Sequence, residues 1–306
     1  MIVNTFFNKF YHKLLSDNVK RKSERIILII AIASFIFHLI IIFLADIGLI
    51  PIYKNSELLN NPIAAIYTPF SFILVYEVYL LIYYLPKSIT TYIGKQYEII
   101  TLIIIRRLFK DLSNLTLSSN WFKIKYDLQF TYDLIAAVIM FFLIYHFYIQ
   151  SKKRYRTIER NEKQKEEISR FIQIKKKIAT LLVPILILLA IYSFLNWGIG
   201  IIYPSSSVSF KDINNVFFDQ FFSVLIIADV ILLLFSFFLT DEFHVVIRNS
   251  GFIISTILIR LSFSVTGLLN TILIISAILF GLFVLIIHNK FEKQIALETT
   301  NDKPRL

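Results

Sequence analysis

The sequence predicts an all-α, polytopic transmembrane protein of about eight spans, built as two parallel four-helix repeats. Three observations carry this reading. Apolar runs long enough to cross a bilayer as a helix, about 18 residues or more, recur along the 306-residue chain. Hydrophobic residues make up 57% of it and charged residues only 17%, where soluble domains carry about 25% charge. The basic residues that produce the net charge of +11 collect between the apolar runs, as the cytoplasmic loops of membrane proteins do. That distribution assigns the charge to membrane topology and not to nucleic acid. With 7 Gly, 7 Pro and no Cys, a disordered chain, a collagen-like fibre, a disulfide scaffold and a thiolate-ligated metal are excluded.

Residues 1–25 form a basic cytoplasmic N-terminus, including Lys20, Arg21, Lys22 and Arg25. The apolar run 26–50 that follows is too long for a signal peptide and has no small-residue cleavage site, so it reads as a retained first span. Residues 51–65 carry a single basic residue, Lys54, among turn formers, which suits an outside loop. A second span covers 66–85 and stops at Pro86. Residues 97–117 admit two readings, a surface-lying amphipathic helix or a third span. Charge bookkeeping favours the span. Lys87 and Lys95 place its start inside, and the fourth span, 130–149, leads into 151–177, where eleven basic and four acidic residues also belong inside. The segment 151–177 lacks Pro and Gly and is expected to be a charged cytoplasmic helix continuing out of the fourth span. Its basic residues Lys152, Lys153, Arg154, Arg156, Lys175, Lys176 and Lys177 would suit an acidic protein or anionic lipid. Spans five to eight are expected at 178–202, 217–239, 245–265 and 271–288, with a cytoplasmic tail over 289–306.

The expected halves, 26–150 and 178–288, resemble each other. A shift of 152 residues places Phe70-Ser71 on Phe222-Ser223, Glu77-Val78 on Asp229-Val230, and Gly48 on Gly200. Two more residues of shift bring Ile105-Arg106 onto Ile259-Arg260. Aliphatic matches carry little weight in Ile-rich spans, whereas charges are rare there and fall in register. Units with an even number of helices face the same way, so the repeats would be parallel.

A charged residue at a helix centre costs about 2.5–3.5 kcal/mol on insertion scales, so such residues turn inward and pair. The expected pairs are Glu77 with Arg106 and Asp229 with Arg260. They would either fix helix register or line a polar path. Glu98, Arg107 and His38 are secondary candidates. Asp46 and Asp133 lie near span ends, where water or a helix cap would satisfy them. His146 and His288 end apolar runs, and no H-x-x-x-H pair is present, so no metal site is expected. No cofactor is implied. Hydrolase, P-loop and dinucleotide-binding motifs are also missing from the sequence, so no catalytic residue is assigned.

Tyr76-Glu77, Tyr83-Tyr84, Pro86 and Gln96-Tyr97-Glu98-Ile99-Ile100 resemble the second and third helices of the voltage-sensor-like domains of cation channels. The resemblance covers about 35 residues and implies a four-helix scaffold with both ends inside. It does not extend to gating, because 130–149 contains no Arg or Lys and voltage sensing needs charges that move through the field. Two functions follow as expectations: a conduit or transporter for an ion, proton or small solute in the cell (inner) membrane, or a non-catalytic scaffold that uses the basic linker. The topology is testable with sidedness reporters at residues 120 and 160. Opposite sides are expected if 97–117 crosses, and the same side if it lies on the surface.

Overall fold

A computed structural model describes residues 2–49, 62–112, 125–153, 162–202, 210–238, 242–265 and 267–301. All regular structure among these residues is helical: α1 (Ile2–Leu14), α2 (Asp17–Asp46), a 3-10 turn (Pro62–Ile66), α3 (Tyr67–Tyr84), α4 (Ile89–Leu112), α5 (Lys125–Ser151), α6 (Glu162–Ile202), α7 (Phe210–Phe237), α8 (Phe243–Ser262) and α9 (Leu268–Asn301). This agrees with the all-α expectation.

Five segments among the described residues are long and apolar enough to cross a membrane: Phe7–Asp46, Asp127–Ser151, Gln220–Phe237, Phe243–Ser262 and Leu268–Glu298. They coincide with expected spans one, four, six, seven and eight. The second expected span corresponds to a shorter apolar helix, Thr68–Tyr84. The third falls on α4, where Lys95, Glu98, Arg106, Arg107, Lys110 and Asp111 break the apolar run. The fifth, 178–202, runs into 193–202, whose side chains lie outside the described residues. Large apolar side chains face outward along these helices, with Phe37 65% and Phe141 74% exposed. Contiguous exposed apolar surface of this kind suits lipid and not water, so the architecture is compatible with a membrane protein.

The residues cluster into two compact units. The first comprises residues 1–83 and 99–138, the second 84–98 and 139–306. The division falls inside α4 and α5, not at the basic linker.

In the first unit, Ser16 caps α2 by accepting a hydrogen bond from the Val19 amide at 3.4 Å, with Asp17 favourably placed against the helix dipole. The short α1–α2 junction brings α1 against α3. Tyr79 donates to the Leu14 carbonyl at 2.9 Å, and Tyr83 donates to Asp17. Phe70 of α3 stacks on Phe109 of α4 at 5.2 Å.

In the second unit, α8 and α9 form an antiparallel hairpin, and Gly267 just before α9 adopts φ 77°, a left-handed conformation that suits glycine. The hairpin packs closely because Gly251 faces Val284, and a Cβ at Gly251 would stand 2.8 Å from a Val284 methyl. Tyr97 of α4 enters the same core. Ser255 donates to the Ala277 carbonyl at 2.7 Å, so the Tyr97 hydroxyl, also 2.7 Å away, is the donor to Ser255 Oγ. The chain of two bonds ties α4, α8 and α9 together around a Tyr97 that is fully buried.

The linker departs from expectation. Rather than extending the fourth span, the charged sequence leads into the next helix. α5 ends at Ser151, where the Lys152 amide bonds to the Tyr148 carbonyl and the Lys153 amide to the Gln150 carbonyl. Lys175, Lys176 and Lys177 lie within α6, continuous with the apolar stretch that follows. Arg154 and Arg156 lie outside the described residues.

Gly251→Ala is expected to destabilise the protein by about 1–3 kcal/mol through overpacking. Adding Val284→Ala should recover most of that loss, read as thermal unfolding of the purified protein in detergent.

Candidate functional site

Ionisable groups are buried in both units, and each unit satisfies them differently. In the first, Glu77 on α3 is 7% exposed, and Arg106 on α4 is the charge that acts on it. The neighbouring Arg107 makes a fork-like ion pair with Asp133 of α5, Nε and Nη2 each donating to one carboxylate oxygen. Gln129 Nε2 adds a third bond to Asp133 Oδ1 at 3.0 Å. Asp133 is therefore not a solvated span end, since it is completely buried and held by a bidentate guanidinium. His38 Nδ1 lies 2.5 Å from Thr68 Oγ1, joining α2 to α3.

In the second unit, Asp229 on α7 is 2% exposed. The expected Asp229–Arg260 pair is not what forms. Asp229 Oδ2 accepts from Gln96 Nε2 of α4 at 3.2 Å, and Tyr92 and Lys175 act on it as well. Arg260 instead donates to Ser223 Oγ at 3.4 Å. Gln96 is a two-sided bridge, because its Oε1 accepts from Thr256 of α8 at 2.8 Å. Glu98 points to a different neighbourhood, with Lys95 Nζ at 2.6 Å and the Tyr148 hydroxyl donating to its other oxygen.

Asp229 and Tyr92 line a cavity of about 440 Å³ within this unit, in the size range of small-ligand sites. Apolar walls come from Leu85, Ile89, Phe171, Leu232 and Ile253, and polar groups from Lys175, Ser236, Glu242, Arg248, Asn249 and Glu292. Lys175 is 8% exposed, donates to the Lys87 carbonyl at 3.0 Å and lies over the Phe171 ring. Burial pushes its amine down to about 8 from 10.5, with the Asp229 carboxylate opposing the shift. At pH 7 Lys175 is still mostly protonated, and it loses its charge as pH rises through about 8. Lys175 and Asp229 thus line one cavity with no direct ion pair between them.

Next to this cavity, three groups converge that the sequence reading did not connect. His244 Nε2 lies 2.8 Å from Glu292 Oε1. His288 Nε2 accepts from Arg248 Nη1 at 2.9 Å. The coordinating atoms of His244, His288 and Glu292 all lie within 4.8 Å of one another. The spacing His288-x-x-x-Glu292 was a usable local signal, since residues four apart share a helix face. The partnership with His244, 44 residues earlier, required the α8–α9 hairpin. No protein family, curated protein or solved structure matches the chain.

Breaking the Arg107–Asp133 pair leaves a buried charge uncompensated, at about 3–5 kcal/mol for fully buried pairs. Arg107 is partly exposed, so Arg107→Met is expected to cost about 2–3 kcal/mol. The double change Arg107→Met with Asp133→Leu should restore most of it in a denaturation double-mutant cycle.

Proposed function

We propose that this chain is an integral membrane protein that conducts or transports a small charged solute or proton, with Asp229 as its central polar group. The observation that carries the reading is a carboxyl group only 2% exposed that lines a cavity of about 440 Å³ among apolar helices. Ionisable groups at such positions are costly and are by default functional. Lys175 supports the reading because it lines the same space and acts on Asp229 without a direct ion pair. A charged or zwitterionic solute would gain an ionic partner from each group as it shed water, which offsets its desolvation. Gln96 would hold Asp229 in place by its hydrogen bond.

The eight-span topology, the cytoplasmic termini and the two parallel repeats belong to the same proposal. Their support is the register of Glu77 and Arg106 with Asp229 and Arg260 in the sequence, together with the burial of both acids. The Glu77–Arg106 association would then serve register in its own bundle. Lys175 is engaged with a backbone carbonyl and the cavity, which removes one cation from the surface that a scaffold would offer a partner.

Proteoliposomes test this with a pH-sensitive dye for protons and labelled small ions and zwitterions for solutes. Flux above empty vesicles is expected, falling at least about tenfold in Asp229→Asn, as loss of a charged partner implies. In the wild type, flux that depends on the Lys175 charge should fall as pH rises past about 8, and Lys175→Gln should remove that limb. No flux for any probe, or equal flux in Asp229→Asn, would refute the proposal.

A further inference from the structure

We infer that His244, His288 and Glu292 form a site for a divalent transition-metal cation of the borderline-soft class, such as Zn2+, on the α8–α9 hairpin. The inference goes beyond transport and holds whether or not any solute crosses. Two imidazoles and one carboxylate are the donor set that such ions select. Their coordinating atoms already lie within 4.8 Å of one another. In a tetrahedral site with bonds near 2.1 Å, donors stand roughly 3.4 Å apart, so closure needs side-chain adjustment and no helix movement.

The hairpin supplies the rigidity. His288 and Glu292 lie one turn apart on α9, and His244 and Arg248 one turn apart on α8. The antiparallel crossing pairs them as His244 with Glu292 and Arg248 with His288. The two imidazole rings are nearly parallel, 5.1 Å apart with 20° between planes, and Gly251 against Val284 keeps the helices close. His288 Nδ1 is buried with no hydrogen bond. Glu242 Oε2 also lies 3.5 Å from His244 Nε2. Because Glu242, Arg248 and Glu292 also line the cavity, an ion has a route in.

The present hydrogen bonds indicate what the ion replaces. A metal at His244 Nε2 and Glu292 Oε1 takes the place of the proton shared there, which either moves to His244 Nδ1 or leaves to solvent. At His288 the ion takes either Nδ1, which is buried with no hydrogen bond, or Nε2, where it displaces Arg248 Nη1. Arg248 keeps two bonds to Asn249 Oδ1, from Nε at 3.2 Å and Nη2 at 3.0 Å, so its guanidinium can withdraw without losing every partner. Arg248 therefore weakens the site by charge and by competition, and Arg248→Gln should tighten binding.

The test uses the full chain in detergent, stripped with chelator and titrated with Zn2+ or Co2+ alone. One ion per chain is expected, with the intense visible absorption of tetrahedral Co2+ and a metal-dependent rise in thermal stability. His244→Ala with His288→Ala should weaken binding at least about 100-fold, since even loss of an outer-sphere partner costs 10–100-fold. Arg248→Gln should strengthen it several-fold. If the double variant does not fold, Glu292→Gln, which keeps volume and an acceptor for His244, should show the same direction of loss. No saturable uptake by the wild type, or binding unchanged in whichever of these ligand variants folds, would overturn the inference.

Discussion

Charge and polarity buried among apolar helices must be satisfied by other side chains, because little water is at hand to do it. That constraint organises the molecule more than any single contact. Backbone groups meet it within each helix. The side chains meet it across helices, and each solution fixes a pair of helices in register: Arg107 with Asp133 between α4 and α5, His38 with Thr68 between α2 and α3, and Gln96 between α7 and α8. Removing one partner leaves the other buried without compensation, which costs more than the bond itself contributes.

The two units apply the constraint differently. In the first, the carboxylate of Asp133 receives a guanidinium fork and an amide and has little capacity left for anything else. In the second, Asp229 receives one amide bond from Gln96, while Tyr92 and Lys175 act on it, Lys175 without a direct ion pair and from the same cavity wall. The first arrangement is spent on structure. The second keeps binding capacity in reserve, which is why the proposed conduit is centred on Asp229 and not on the stronger ion pair.

Close helix approach provides the other half of the architecture. Chains with a shared lipid or apolar surround gain little from hydrophobic burial between helices, so association rests on packing and on small residues that let backbones approach. Gly251 opposite Val284 does this for α8 and α9, and Gly281 leaves the room that the Tyr97 hydroxyl fills. The same tight hairpin holds His244, His288 and Glu292 together, so the packing of apolar residues sets the geometry of a polar cluster.

By itself the sequence determined the fold class and most of the apolar helices, because hydropathy over about 18 residues is a local property that needs no partner. It also identified Glu77, Arg106, Asp229 and Arg107 as noteworthy, because a charge within an apolar run is visible wherever its partner lies. It could not tell that Asp229 would meet Gln96 from 133 residues away and not Arg260. Nor could it tell that Asp133 would be buried on Arg107, or that the charged linker would join α6 and not α5. The matching of Glu77-Arg106 to Asp229-Arg260 suggested equivalent pairs, but register in sequence does not set the rotation of one helix against another. Only the tertiary structure decided which helix faces meet, since rotation and approach depend on side-chain packing summed over whole interfaces, and single residues such as Gly251 and Gly281 acquire meaning only opposite Val284 and Tyr97.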